Sequence, residues 1–343
     1  MKIDIAPRTF HFKQPAGTSR GIYTTRKSWF VTITSDKYPG RKGIGECAPL
    51  PDLSCDARPD YEKTLRAICN ITESKGEIDY QMLRPYPSML FGLETAMLNL
   101  ERGSDMLFDT PFGNGDEGIP FNGLVWMGNF DEMLSRLHEK IKQGFKCVKL
   151  KIGAIDFNKE MELVKEIRRN FTKEQIELRV DANGGFTPNN VLYHLETLAK
   201  YDIHSIEQPI RQHQWKQMAE LCKESPLPIA LDEELIGVNI KAMKEELLDT
   251  IKPHYIVLKP SLHGGMQGIR EWIDMANSRN IKSWITSALE SNVGLNAIAH
   301  LTADIYGSGI TFPQGLGTGQ LFTDNIDMPI KIKDNAIWFL KNS

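Results

Sequence analysis

The sequence has few cysteines, and their positions exclude the usual roles of paired thiols. There are five among 343 residues, and no two of them lie at the Cys-x-x-Cys spacing of zinc or redox sites. Neither a disulfide framework nor a thiolate metal centre is expected from an odd, scattered set. We interpret all five as reduced residues that mostly serve packing: Cys47, Cys55, Cys69, Cys147 and Cys222.

Long apolar segments and an excess of positive charge are also missing. No stretch is apolar for long enough to cross a bilayer, and the first residues lack the hydrophobic run of a signal peptide. We therefore expect a cytoplasmic protein without a membrane partner. The formal net charge is -3, so nucleic acid is not expected as a partner either.

The length and the hydrophobic content of 41% predict a globular chain that combines a barrel with an added domain. Residues 1–120 mix strand alternation at 28–34 with a helical pattern at 87–103, which predicts an α+β domain. Residues 121–315 alternate short apolar runs with amphipathic segments, as parallel β-α units do. Residues 316–343 contain a predicted hairpin, which we expect to pack back on the first domain.

Eight short apolar runs are the candidate strands of the barrel. They cover residues 123–125, 147–151, 178–181, 205–207, 229–232, 256–259, 283–287 and 310–312. The polar residues that end successive runs, from the second to the seventh, are separated by about 25 to 30 residues, the length of one strand, loop and helix in a (β/α)8-type barrel. The predicted fold class is therefore α/β, with such a barrel behind an N-terminal α+β domain.

Charged side chains at these strand ends form the candidate active site, because barrel active sites lie at the C-terminal ends of the strands. In chain order they are Lys151, Asp181, Glu207, Asp232 and Lys259. Neighbouring carboxylates raise one another's pKa and need a compensating charge. All-oxygen ligands favour a hard divalent cation, Mg²⁺, with Mn²⁺ as the substitute. A lone acid after a strand is usually a helix N-cap, so the ordered set favours the metal site.

The two lysines indicate what such a site could do. Counting around eight strands places Lys151 and Lys259 opposite each other, and a cation between them can stabilise the enediolate formed by proton abstraction next to a carboxylate. A lysine near a second ammonium group and a dication, partly removed from water, should have a lowered pKa and act as a base. Lys149 lies on the same strand face as Lys151 and could share in that effect. Periodicity leaves open which of the three consecutive acids Asp232, Glu233 and Glu234 points inward. A non-catalytic ligand-binding barrel and a Schiff-base aldolase using Lys259 also remain alternatives.

Five short motifs resemble the muconate lactonizing enzyme subgroup of the enolase superfamily. They are Lys149-Leu150-Lys151, Asp181-Ala182-Asn183, Glu207-Gln208-Pro209, Asp232-Glu233 and Lys259-Pro260. The resemblance spans about residues 1–330 and implies a modified (β/α)7β barrel with an N-terminal capping domain. It also implies Asp181, Glu207 and Asp232 as Mg²⁺ ligands, Lys151 as the base and Lys259 on the opposite face. A Lys or His base with Mg²⁺ is the known pattern of this superfamily.

The resemblance further implies how the substrate is chosen. Two capping-domain loops, near residues 16–20 and 49–54, would close the barrel mouth. The second loop and residues 287–291 look most like those of the o-succinylbenzoate synthases, which dehydrate a cyclohexadiene carboxylate on the menaquinone pathway. The side chains expected to contact this small carboxylate substrate are Lys149, Asn183, Ser287, Leu289, Leu50 and Leu53.

Other reactions of the subgroup stay open at this point. An N-acylamino acid racemase or dipeptide epimerase would use lysines on opposite faces, and a muconate cycloisomerase has similar lysines and ligands. Dipeptide epimerases typically carry an Asp-x-Asp motif on the last barrel strand, and residues 313–319 contain no acid. The oligomeric state is also open, and a homo-oligomer is possible.

Overall fold

The structure is a computed structural model that describes residues 1–18 and 21–341. Its strands are β1 (Lys2–Thr18), β2 (Gly21–Thr34), β3 (Gly43–Cys47), β4 (Ile119–Pro120), β5 (Gly123–Val125), β6 (Cys147–Lys151), β7 (Glu177–Asp181), β8 (Ser205–Glu207), β9 (Ile229–Leu231), β10 (Tyr255–Leu258), β11 (Lys282–Ile285), β12 (Ile330–Lys333) and β13 (Ala336–Phe339). Its helices are α1 (Tyr61–Lys75), α2 (Tyr80–Leu83), α3 (Pro87–Arg102), α4 (Phe130–Lys142), α5 (Phe157–Asn170), α6 (Val191–Ala199), α7 (Trp215–Glu224), α8 (Lys241–Ile251), α9 (Gly265–Asn277) and α10 (Asn292–Tyr306), with a 3₁₀ turn at Glu233–Leu235.

The N-terminal unit is an antiparallel sheet, in the order β1-β2-β3, and α3 packs on β2 and β3. The helix begins with Pro87 and ends before Gly103, whose φ of 67° suits glycine. A β-carbon on Gly45 would lie 1.9 Å from the carbonyl oxygen of Gly92, so the pair of glycines allows α3 to lie directly on β3. The structure therefore confirms the helix predicted for residues 87–103. The contact of this helix with β3 fixes the position of the sheet next to the barrel.

The second unit is a seven-stranded parallel sheet in the order β11-β10-β9-β8-β7-β6-β5, with helices between successive strands. It covers the seven candidate strands from residue 123 to 287, and so confirms the barrel-type α/β prediction. The eighth candidate, residues 310–312, is wrong. Isolated parallel bridges instead join Gln314 to Phe121 and Gly315 to Thr286. The carbonyls of Phe312 and Pro313 accept hydrogen bonds from the side chains of Gln314 and Arg179 instead of from a neighbouring strand.

The C-terminal residues return to both units. Phe322 forms a bridge with Phe12 in β1, and the predicted hairpin is present as β12 and β13. Its second strand pairs with β4, and Ile337 packs in the core of the barrel. The domain limits 1–120, 121–315 and 316–343 stay a prediction. Among the helices of residues 1–18 and 21–341, none has both the length and the apolar character needed to cross a membrane.

Two buried glutamates join the N-terminal unit to the barrel. Glu94 of α3 accepts hydrogen bonds from the backbone N–H groups of Met266 and Gln267 at the start of α9, at 2.5 and 3.0 Å. Glu46 of β3 accepts from the N–H groups of Ser291 and Gly294 at the start of α10, both at 3.0 Å. The first N–H groups of a helix have no partner inside the helix and favour a negative charge, so these contacts fix how the two units sit together.

Replacing Glu94 by glutamine should flatten the pH dependence of stability. Burial raises the pKa of Glu94 from 4.5 to about 8, although the two N–H groups oppose the shift. The folded state then keeps a proton that the unfolded chain loses, so the contribution to stability is full below pH 4.5 and is lost as the pH rises to about 8. Each pKa unit corresponds to about 1.4 kcal/mol, which makes the expected change a few kcal/mol.

Urea unfolding of both proteins at several pH values between about 5 and 8 measures this effect. The free energy of unfolding of the Glu94→Gln protein should fall less with rising pH than that of the original protein. Two parallel pH profiles would contradict the prediction.

Candidate active site

The ends of β6, β7 and β8 bring two lysines against two carboxylates. The parallel register sets Lys151 beside Asp181 and Asp181 beside Glu207. Lys151 Nζ lies 2.6 Å from Asp181 Oδ2, and Lys149 Nζ lies 2.9 Å from both Asp181 Oδ2 and Glu207 Oε2. Alternate residues of a strand face the same side, which is why both lysines reach Asp181.

The other half of the site comes from the ends of β9 and β10. Asp232 follows β9 and pairs with Lys259, which follows β10. The three strands β7, β8 and β9, whose ends carry the carboxylates, therefore lie between the strand of Lys151 and that of Lys259. The two lysines approach the carboxylates from opposite sides, as strand counting predicted.

Glu233 is a fourth acid in the site, which sequence reasoning treated only as an alternative to Asp232. Both residues are buried, and Asn183 Nδ2 donates to Glu233 Oε1 at 2.9 Å. The strand ends at Leu231, and a 3₁₀ turn begins at Glu233. Strand alternation therefore stops before this pair, and both side chains can face the site.

Burial and mutual repulsion control the charges of the carboxylates. Burial and the neighbouring Asp181 raise the pKa of Glu207. Burial acts on Asp181 in the same sense, but the ammonium groups of Lys149 and Lys151 outweigh it and hold the pKa of Asp181 well below its ordinary value. The carboxyl groups of Asp181 and Asp232 both also contact that of Glu207, so the three acids form one cluster.

Neighbouring carboxylates hold Lys149 and Lys259 in their charged forms. Burial would lower the pKa of Lys149, but Asp181 and Glu207 outweigh it and raise the pKa. The pKa of Lys259 is raised in the same way, by Asp232 and Glu233 against burial. Direct contact with carboxylates is stronger here than repulsion between ammonium groups.

The donor set fits a hard divalent cation. Within residues 1–18 and 21–341, no group of three or more His, Cys, Asp and Glu side chains stands arranged around a metal position. The ammonium group of Lys149 contacts both Asp181 and Glu207. The chemistry of the cluster nevertheless suits such an ion: three buried carboxylates repel one another. Among the described residues, the buried Oδ1 of Asp232 has no hydrogen-bond partner, so it can accept a ligand.

A cavity of about 460 Å³ opens over this cluster. Lys151 and Lys259 both line it, and the three carboxylates are buried behind the lysines. All six side chains predicted to contact substrate line the same cavity: Lys149, Asn183, Ser287, Leu289, Leu50 and Leu53. Of the predicted loop at residues 16–20, Ala16 is a cavity wall, and Ser19 and Arg20 lie outside the described residues.

Comparison with known proteins decides the family. The family described as "Enolase C-terminal domain-like" matches residues 132–338. The chain belongs to the enolase superfamily. The o-succinylbenzoate synthase of Desulfotalea psychrophila is 44% identical to it over 347 residues, which cover 92% of each protein. The crystal structure of MenC from Desulfotalea psychrophila LSv54 has a TM-score of 0.84 and 39% identity, and the match covers 98% of this chain and 99% of that one.

A more distant relative has another activity. The L-Ala-D/L-Glu epimerase of Bacillus subtilis is 25% identical over 296 residues, covering 83% of this chain and 79% of that protein. Membership of the enolase superfamily confirms the resemblance inferred from the five motifs. It also agrees with the fold, in which a separate antiparallel sheet lies beside the parallel sheet of an enzyme barrel.

Three residues that line the cavity were not predicted from the sequence. Trp126 follows β5, Tyr23 lies in β2, and Gln320 belongs to the C-terminal return; all three line the cavity. The position of Trp126 directly after a barrel strand was a usable signal, since that edge carries the active site. The other two come from distant parts of the chain, and no local pattern marks them.

Proposed function

We propose that the chain is an o-succinylbenzoate synthase, a carbon-oxygen lyase that dehydrates a cyclohexadiene carboxylate to o-succinylbenzoate in the menaquinone pathway. The observation that carries the proposal is the approach of Lys151 and Lys259 from opposite sides to one cavity. This arrangement supports proton abstraction next to a carboxylate. The 44% identity to the Desulfotalea psychrophila synthase over 92% of both proteins supports the choice of substrate.

The cofactor in this proposal is Mg²⁺, with Mn²⁺ as substitute, held by Asp181, Glu207 and Asp232. When bound, the cation supplies positive charge that stabilises the additional negative charge of a substrate carboxylate whose neighbouring C–H bond has been broken. The buried, mutually repelling carboxylates described above support this ligand set.

Lys151 would carry the proton transfers. As a neutral amine it takes the proton from the carbon next to the carboxylate, and as the resulting ammonium group it returns that proton to the departing hydroxyl on the same face. One C–H and one C–O bond break, a ring double bond forms, and water leaves. Asn183 and Asp181 accept hydrogen bonds from Lys151 Nζ at 2.7 and 2.6 Å, which orients the base. Lys259 would stabilise charge from the opposite face.

The cavity walls suit the rest of such a substrate. Leu50, Leu53 and Leu289 offer apolar surface to a six-membered ring, and Leu50 and Leu289 are only 7% and 6% exposed. Ser287 adds a hydroxyl, which forms a 2.6 Å hydrogen bond with Thr318. The lysines line the same cavity as these apolar side chains, so the substrate carboxylate would face the lysines and its ring the leucines.

The opposed lysines also suit a second function, the racemisation of an N-acylamino acid by two bases. The Bacillus subtilis epimerase at 25% identity supports this candidate less than the synthase does. Residues 313–319, the position of the epimerase acid motif, contain no acid.

Ultraviolet monitoring of the cyclohexadiene substrate, beside polarimetry of an N-succinylamino acid, separates the two functions. We expect kcat/KM for dehydration to exceed that for racemisation by at least about a hundredfold. Lys151→Ala should lack both activities, which excludes a contaminating enzyme. Faster racemisation than dehydration would reverse the assignment.

A further inference from the structure

Arg26 of β2 is a charged side chain buried where the N-terminal unit meets the barrel. It is 2% exposed, and it is not among the residues that line the cavity. Nothing in the chemistry proposed above uses it. A guanidinium group carries five N–H donors in one plane, and burying it is strongly unfavourable unless those donors find partners.

The partners of Arg26 are backbone carbonyls of two separate segments. Nη2 donates to the carbonyl oxygen of Ala48 at 2.7 Å, and Nη1 donates to that of Pro49. Nε donates to the carbonyl of Leu289 at 3.3 Å, and Nη2 also to that of Ala288 at 3.4 Å. One side chain therefore ties the start of the 49–54 loop to residues 288–289 of the barrel.

Both segments continue into cavity walls. Leu50 directly follows the first pair of carbonyls, and Leu289 carries one of the second pair. The backbone at Leu289 has a φ of 64°, a conformation that is costly for a residue with a β-carbon and persists only where neighbouring contacts hold it. The bond from Arg26 is one of these contacts. A second is the 2.6 Å bond from the N–H of Ala288 to Glu290.

We propose that Arg26 is a positioning residue for substrate, which sets the distance between the wall formed by Leu50 and Leu53 and the wall formed by Leu289. The identity of the substrate rests on the function proposed above. Arg26 acts through the two segments and does not touch the substrate.

This role predicts a specific kinetic effect. Without Arg26 the two walls would be correctly placed for only part of the time, and apparent affinity falls by the fraction of molecules that are competent to bind. The lysines are held by the ends of β6 and β10 and do not depend on Arg26. KM should therefore change much more than kcat.

The test compares Arg26→Ala and Arg26→Lys with the control Arg168→Ala. Arg168 also donates to three backbone carbonyls, those of Tyr201, Ile176 and Asp202, at 2.8, 2.9 and 3.0 Å, but it does not line the cavity. In Arg26→Ala we expect KM for the cyclohexadiene carboxylate to rise about tenfold, as for the loss of one or two net hydrogen bonds, with kcat within about threefold. Added methylguanidinium should lower KM again, and Arg26→Lys should be intermediate.

Hydrogen exchange of the backbone amides keeps this proposal separate from the proposed function. The amides of residues 49–54 and those of residues 287–291 should both exchange faster in Arg26→Ala. In Arg168→Ala their exchange rates should be unchanged. If the original protein does not dehydrate the cyclohexadiene carboxylate, the proposed function fails and this two-segment exchange alone decides the role of Arg26. The proposal is overturned if KM is unchanged in Arg26→Ala, if KM rises equally in Arg168→Ala, or if only one of the two segments exchanges faster. Should Arg26→Ala not fold, the same criteria apply to Arg26→Lys.

Discussion

Replacing Lys151 by alanine should lower kcat for dehydration by about a thousandfold, within the range for the loss of a general acid-base group. The expected effect is large because the same amine would take the proton and later return it to the leaving hydroxyl. Lys259 cannot replace it, since it approaches from the opposite side of the carboxylates. Exchange of the substrate's α-proton with solvent deuterium should be lost together with turnover.

The fold should survive this substitution. Asp181 keeps the ammonium group of Lys149 at 2.9 Å, so the substitution does not leave this buried carboxylate without a cation. Circular dichroism and thermal unfolding of Lys151→Ala should therefore resemble those of the original protein. Lys146→Ala, which removes an exposed lysine just before β6, is the matched control and should keep full activity. Unchanged α-proton exchange in Lys151→Ala would remove Lys151 as the base.

The barrel strands were predictable because their signals are local. Each run is short, apolar and bounded by polar or turn residues. The spacing between the ends of successive runs matches the length of one β-α unit. Residues 310–312 look like another such run, but closure of the sheet depends on Gln314, whose side chain accepts from the backbone N–H of Ile285 at 2.8 Å. That contact joins distant parts of the chain, and apolar patterning does not reveal it.

The candidate site was predictable to the same extent. The order of the lysines and acids along the chain places them on successive strand ends, and the structure gathers them there. Glu233 was not predicted to accompany Asp232, because the alternation rule holds only while the strand continues. Arg26 and Glu94 were not predicted at all, since their partners lie far away in the sequence and a buried charge has no local sequence pattern.

Removal of divalent cations by EDTA should abolish turnover, and Mg²⁺ or Mn²⁺ should restore it. Glu207→Gln tests the proposed ligand set directly. Burial and the charge of Asp181 already disfavour the ionised form of Glu207, so a neutral amide should fold as stably as the acid in the absence of metal. Turnover should nevertheless be lost, a separation of stability from function that is typical of active-site residues.

Thermal unfolding with and without Mg²⁺ completes the test. A cation at about a hundred times its dissociation constant stabilises the folded state by about 2.7 kcal/mol, and this gain should disappear in Glu207→Gln. Glu94→Gln is the matched control, because it also replaces a buried glutamate by the neutral amide, but at the contact between the two units, and should keep the full Mg²⁺ effect. Full turnover in EDTA, or equal stabilisation of Glu207→Gln by Mg²⁺, would exclude Glu207 as a ligand of an essential cation.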